Sequence, residues 1–309
     1  MEPPATHLVS IIIPCYNYAH FLAEAIESAL AQSYASFEVI VIDDGSTDET
    51  RAVVARFPQI RYFHQVNSGL PAARNTGLRE SKGDYVVFLD ADDKLLPAAL
   101  EAGVSALEDD ADAAFVWGYT QLISSDGWPL PTELFLQYED RDCYLWLLRR
   151  NYIWNPGAVM YRRAVFDAVG DFDTSLTSCE DYELYLRIAR KHRIACHGRL
   201  VVEYRMHGDN MSRNSARMLD TVLAVMRSQN SHVARSERHS RAHREGIKFK
   251  RKLYGLRLMR EIYRHVRRQQ NLTHALRSFR TLVRYYPRGM FILMWRLPKK
   301  LHRVARRRR

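Results

Sequence analysis

The chain lacks several features that would settle its class at once. Among 309 residues there are four cysteines, Cys15, Cys143, Cys179 and Cys196, with no CxxC pair among them. That argues against a disulfide-stapled framework and for free thiols in a reducing, cytoplasmic setting. No cationic start followed by an apolar run and a cleavage site marks a secretory signal. No stretch approaches the roughly 18–20 apolar residues that span a bilayer, the nearest being MFILMW at Met290–Trp295, so no membrane crossing is expected. There is no GxGxxG after the first apolar run and no GxxxxGK[ST] anywhere, which removes the dinucleotide fingerprint and the P-loop. No internal repeat is evident.

Acids are scarce in one part only. Residues 218–309 hold 26 of the 46 Lys and Arg but 4 of the 35 Asp and Glu, so this segment carries +22 and the rest of the chain −11, for a net +11. The asymmetry divides the chain into an acidic domain, 1–217, and a basic helical extension, 218–309, suited to an anionic surface.

What is present in the first ~100 residues alternates. LVSIIIPCYN (Leu8–Asn17), FEVIVID (Phe37–Asp43), RYFHQV and DYVVFLD (Asp84–Asp90) are β-branched apolar runs of the kind buried on both faces of a parallel sheet. Between the first two, Phe21, Leu22, Ala25, Ile26, Ala29 and Leu30 recur at helical spacing. Strand and helix in alternation predict an α/β fold with a doubly wound, mainly parallel sheet and a ligand at the carboxyl ends of its strands. After AAFVWGYT (Ala113–Thr120) the alternation weakens, and Trp128, Tyr138, Trp146, Tyr152 and Trp154 crowd together, as suits a second substrate or plain packing.

Carboxylates collect at the predicted strand ends: Asp43 and Asp44; Asp90, Asp92 and Asp93; and Glu180 with Asp181 in SCEDYELYLRIA. Crowded carboxylates repel unless something positive sits among them. Hard oxygen ligands in this number suit Mg²⁺ or Mn²⁺, which binds through one or two carboxylates and completes its shell with phosphate oxygens. Taken singly, Asp43 or Asp48 reads as a turn or helix cap; DADD directly after a buried strand does not.

Six segments in order, VSIIIPCYNYAHFLAEAIESALAQSY, FEVIVIDDGSTDET, NSGLPAARNTGL, GDYVVFLDADD, VGDFDTSLTSCEDYELYLRIA and YRMHGDNMS, give Leu8–Ser212 a resemblance to glycosyltransferase family 2. The resemblance implies a GT-A fold, a nucleotide-diphospho-sugar donor (a UDP-sugar by default), and a glycan or lipid-linked hydroxyl as acceptor, in cell-surface polysaccharide synthesis. It places Pro14, Tyr16 and Asn17 at the nucleotide, with the Tyr16 ring stacked on the base or serving only as a sheet-end aromatic. Asp44 would accept a hydrogen bond from the base, with Asp43 assisting or shaping the turn. Arg74 would reach the nucleotide or its diphosphate, or be an exposed helix cation. Asp92 and Asp93 match the acids that touch ribose and metal, with Asp90 as a third, and His207 matches a metal-binding imidazole or is a structural histidine. Asp181 matches the catalytic base; a lone base acting on an acceptor hydroxyl implies inversion at the anomeric carbon. Trp154 and Glu180 fall on the acceptor side, Glu180 binding the acceptor or supporting Asp181, or both acids simply cap the helix that follows. The rival from another class is a nucleotide-sugar or glycan binding protein that has lost turnover. For the basic extension, GMFILMWRLPKKLHRVARRRR sets Phe291, Ile292, Leu293 and Trp295 beside Lys299, Lys300, Arg303 and Arg306–Arg309, an arrangement for peripheral docking on the inner, anionic face of a membrane, with nucleic acid the less favoured partner.

Overall fold

The β-branched runs form the centre of an eight-stranded sheet. In chain order its strands are β1 (Val9–Cys15), β2 (Phe37–Asp43), β3 (Arg61–His64), β4 (Tyr85–Phe88), β5 (Lys94–Leu95), β6 (Ala113–Ser124), β7 (Val159–Arg162) and β8 (Arg193–Met206). Their spatial order is β3-β2-β1-β4-β7-β6-β8-β5. The pairs β1–β2, β1–β4, β2–β3 and β6–β8 are parallel, while β7 runs antiparallel to both β4 and β6, and β5 antiparallel to β8. The structure, a computed structural model, describes residues 7–132, 142–268 and 272–289. The MFILMW stretch and the terminal cations, like Tyr138, lie outside the described residues.

Helices α1 (Ala19–Leu30), α2 (Thr50–Val54), α3 (Leu70–Glu80), α4 (Ala99–Asp109), α5 (Cys143–Arg149), α6 (Ala164–Val169) and α7 (Glu180–Ala189) connect the strands. Leu22, Ala25, Ile26 and Ala29, the apolar stripe of α1, pack with Leu100 and Leu107 of α4 against Ile11, Ile13, Val39 and Val41. The opposite face of β1 and β2 meets α3 at Gly77, where an added Cβ would lie 2.2 Å from Ile12 Cγ2. Gly77→Ala would gain about 1 kcal/mol of helix propensity, but overpacking a strand–helix contact costs about 1–3 kcal/mol and strains both partners. We expect a lower urea midpoint for Gly77→Ala with an unchanged m-value.

The sheet order has a consequence for the DADD turn. A flat sheet would hold β4 and β5 four strand spacings, about 19 Å, apart. The five residues joining them are folded into a turn by Asp93 N–H donating to the Asp90 carbonyl, 3.0 Å, and fall short of that span. The sheet therefore curls, and β5 closes onto β8. Strand direction then gathers the site: β1, β2, β4, β6 and β8 all run the same way, so Tyr16, Asp43–Asp44, Asp90–Asp93 and His207 emerge at one edge.

The chain divides into two compact units, Met1–Leu147 with Asn151–Gly208, and Leu148–Arg150 with Asp209–Arg309. The second is helical, with α8 (Ser215–Ser228), α9 (Asn230–Val233), α10 (Glu237–Arg268) and α11 (Leu272–Tyr285); residue 217 lies in the first turn of α8. Leu219, Leu223 and Met226 of α8, Leu258 and Ile262 of α10 and Leu282 of α11 are among its buried apolar residues. Among the described residues no helix is long and apolar enough to cross a membrane.

Candidate active site

At the end of β1, Pro14 is buried in the sheet in register with Ile42, and the chain then turns so that Tyr16 is 47% exposed. Asn17 takes a left-handed conformation, φ 58°, one of the residue types that tolerates it. Its Oδ1 accepts from Thr47 N–H at 2.8 Å, and its own N–H donates to Ser46 Oγ at 3.0 Å. Asn17 thus fastens the loop after β1 to the loop after β2.

Asp43 and Asp44 are buried and hold that second loop in shape. Asp43 accepts from Ser46 N–H at 2.8 Å and from the Tyr62 hydroxyl at 2.6 Å. Asp44 accepts from Gln65 Nε2 (2.7 Å), Ser68 N–H (2.9 Å) and Gly69 N–H (2.8 Å). Just after them Gly45 sits at φ +78°, where a Cβ would approach Asn67 N to 2.8 Å, so the turn requires glycine. A carboxylate has about four lone-pair sites; the three protein bonds of Asp44 leave room for one further donor.

The acids of DADD separate in space. Asp90 faces Arg74, with Oδ1 2.7 Å from Nη2. Asp92 faces His207, with Oδ2 2.8 Å from Nε2, and the His207 ring is packed against Phe21 and Tyr18 with centroids at 4.9 and 5.7 Å. Burial, and then the charge of Asp90, push the Asp92 carboxyl above the usual range, while His207 pulls it back. Asp93 is fully buried. Its Oδ1 accepts from Arg205 N–H at 2.8 Å and its Oδ2 from Asn155 Nδ2 at 2.5 Å; burial, then Asp92 and Asp90, hold its carboxyl well above the usual range.

Two residues not foreseen in the sequence brace this turn. Arg205, buried at the end of β8, donates through Nε to the Asp92 carbonyl (2.9 Å), through Nη1 to the Ser125 carbonyl (2.8 Å) and through Nη2 to Glu24 (2.7 Å). Asn155 ties Asp93 to the Pro156–Ala158 turn, its Oδ1 accepting from Gly157 N–H at 2.7 Å. Arg205 lies inside the YRMHGDNMS segment and Asn155 precedes a Pro-Gly pair, a turn signal. Trp154, next to Asn155, is half-buried.

Arg74, expected at the diphosphate or in solvent, is instead buried between two carboxylates. Nη1 lies 2.6 Å from Glu180 Oε1 and Nη2 2.7 Å from Asp90, with the guanidinium 5.4 Å from the Phe172 ring centroid. Burial opposes its charge, but Asp90, Glu180 and Asp181 outweigh it and raise its pKa.

Glu180 and Asp181 open α7, where the helix N-terminus favours negative charge. Glu180 is buried against Arg74; Asp181 is half-buried. The Asp181 carboxyl is pushed up to about 7, first by burial and next by the charge of Glu180, with Arg74 and the Tyr182 N–H pulling it down. The buried phenols of Tyr161 and Tyr185 are close enough for the charge of Asp181 to raise their pKa values beyond what burial does. A carboxylate poised near neutrality beside a fixed buried cation is suited to accepting a proton.

The Glycosyl transferase family 2 profile matches residues 10–170, more than half of the chain. The chain belongs to glycosyltransferase family 2. An uncharacterized glycosyltransferase of Rickettsia prowazekii, RP339, is 32% identical over 220 residues, covering 69% of this chain and 68% of that protein. An uncharacterized glycosyltransferase of Rickettsia felis is 35% identical over 214 residues, 67% of this chain but 35% of its own length. Chondroitin synthase of Escherichia coli is 30% identical over 222 residues, 66% of this chain and 30% of its own length; the chain thus spans about a third of some relatives it matches. Among solved structures, the mannosyltransferase PcManGT from Pyrobaculum calidifontis, in complex with GDP-Man and Mn²⁺, superimposes with a TM-score of 0.58 at 19% identity over 94% of this chain and 84% of that one. S. aureus TarS 1-349 does so with a TM-score of 0.56 at 18% identity over 91% of each chain. These likenesses show the family's GT-A fold.

Proposed function

We propose that the protein transfers a sugar from a nucleotide-diphospho-sugar to a hydroxyl of a glycan or lipid-linked acceptor, with inversion. The observation that supports this most directly is Asp181: a half-buried carboxyl pushed up to about 7, fixed at a helix N-terminus beside the Glu180–Arg74 pair. In the proposed step the acceptor oxygen attacks the anomeric carbon as Asp181 takes its proton, and the bond to the nucleotide diphosphate breaks with the electron pair leaving on the diphosphate. A single base requires no covalent enzyme intermediate. Tyr16, exposed beside the Asn17–Ser46 clasp, offers a stacking face for the base, and the Asp44 loop offers one carboxylate site beside it.

Asp92 and His207 fit a divalent cation. An oxygen and an imidazole nitrogen already face each other at 2.8 Å, where burial, and then the charge of Asp90, raise the Asp92 carboxyl. Among the described residues no three His, Cys, Asp or Glu side chains form a group able to hold a metal ion, and a Mg²⁺ or Mn²⁺ held by few protein ligands completes its shell with diphosphate oxygens. Such an ion supplies Lewis-acid neutralisation of the leaving diphosphate. Asp90 stands nearby against Arg74, and Asp93 braces the turn to Arg205 and Asn155.

A screen of UDP-, GDP- and dTDP-sugars by thermal stabilisation and nucleotide release tests the reading. Stabilisation by at least one nucleotide sugar is expected, with release abolished by excess EDTA and restored by Mn²⁺ or Mg²⁺. Full release in excess EDTA would remove the metal from the proposal.

A further inference from the structure

Helix α11 carries a surface that the core of the helical unit, among the described residues, does not use. Helix α11 turns Ala275, Ser278 and Leu282 inward, where all three are buried, and packs on α8 and α10. Its next stripe, Leu276, Phe279 and Val283, is 52%, 37% and 39% exposed. At 100° per residue these three positions fall within about 60° of arc, so they form one apolar strip along the helix. Single exposed apolar residues are ordinary, but three of the nine large exposed hydrophobics of the described residues lie on this one helix.

The flank of that strip is cationic. Arg277, Arg280 and Arg284 are exposed on α11, and the helix contains no acid. On α10, all six exposed residues from Lys248 to Arg264 are Lys or Arg. Glu261 is the last acid of the chain, and residues 272–309 carry 12 Lys and Arg. A protein partner or a second copy of this unit would have to bring acids to match, and a copy of so basic a unit would repel it. A nucleic acid would match the charge and leave the apolar strip in water. An anionic bilayer matches both, with headgroup phosphates for the arginines and acyl chains for the strip.

We propose that α11 docks the protein on an anionic lipid surface, with Leu276, Phe279 and Val283 entering the headgroup–acyl boundary and Arg277, Arg280 and Arg284 at the phosphates. The test is flotation of the full chain with vesicles of phosphatidylcholine alone or mixed with phosphatidylglycerol, with a short duplex DNA in a parallel binding assay. The wild type should float with the anionic vesicles, less at high salt, and not with the neutral ones. The triple variant L276S/F279S/V283S should lose about tenfold or more in partitioning, with its helical circular dichroism spectrum retained at the flotation temperature because all three side chains are part-exposed. V283L alone should float as the wild type does. The proposal is overturned if the triple variant floats like the wild type, which would place any docking on another segment. It is also overturned if the wild type fails to float or floats equally with neutral vesicles, or if it binds only the DNA. None of these outcomes depends on turnover, so a failure to dock leaves the proposed transfer reaction standing.

Discussion

Asp181→Asn should cut transfer by about 10²- to 10⁴-fold, the usual cost of removing a general base, while nucleotide affinity stays close to that of the wild type. The asparagine is nearly isosteric, keeps an oxygen for the Tyr182 N–H, and removes both the burial of a charge and the repulsion with Glu180 that raise the Asp181 carboxyl. The variant should therefore be no less stable than the wild type at pH above 7, where the wild-type carboxylate is charged. The pH profile supplies an independent check. A base acts when deprotonated, so with its carboxyl near 7 the wild-type kcat/KM should rise with pH through about 7 and then level off. That limb should vanish in the residual activity of the asparagine variant. Isothermal titration with the nucleotide alongside a transfer assay separates the possibilities. Lost nucleotide affinity with turnover retained would move Asp181 into the donor site.

Arg74→Met should destabilise the fold more than either Gly77→Ala or Asp181→Asn. It leaves Glu180, buried, and Asp90, whose side chain is 27% exposed, without their shared cation. Removing one partner of a buried ion pair costs about 3–5 kcal/mol; the lower half of that range applies because water reaches Asp90 and screens it. The effect on catalysis follows from charge. Without the guanidinium, which pulls the Asp181 carboxyl down, the base stays protonated to higher pH, and the rising limb of kcat/KM should shift upward. Adding Glu180→Gln to Arg74→Met should recover part of the stability, since the buried uncompensated charge is then gone. Urea denaturation of the four proteins of this double-mutant cycle measures the coupling. A sum of single effects equal to the double effect would mean that the 2.6 Å contact between Arg74 and Glu180 contributes nothing.

Much of this architecture was legible in local pattern. LVSIIIPCYN and FEVIVID announced strands buried on both faces because apolar β-branched residues leave no polar side to show to water, and they became β1 and β2, paired in register from Val9 with Phe37 to Cys15 with Asp43. The α1 stripe was readable from its spacing alone. The acids following β2 and β4 marked one edge of the sheet, since successive parallel strands in a doubly wound sheet present their carboxyl ends together.

Other features were not legible, and the reason is sequence separation. An arginine in AARN reads the same whether it points to solvent or is enclosed; its fate was decided by Glu180, 106 residues away. Asp92 and His207 are 115 residues apart and Asp93 and Arg205 112, and they meet because β5 and β8 pair across the closed side of the curled sheet. No periodicity encodes that pairing, because it depends on which strands become neighbours. The sequence by itself determined the strand cores, the α1 face, the family and the types of residue at each strand end. The tertiary structure decided which of those acids stay open to a ligand and which are consumed as braces. A carboxylate's chemistry depends on the donors and charges within a few ångströms, and the fold, by bringing distant segments together, sets those distances.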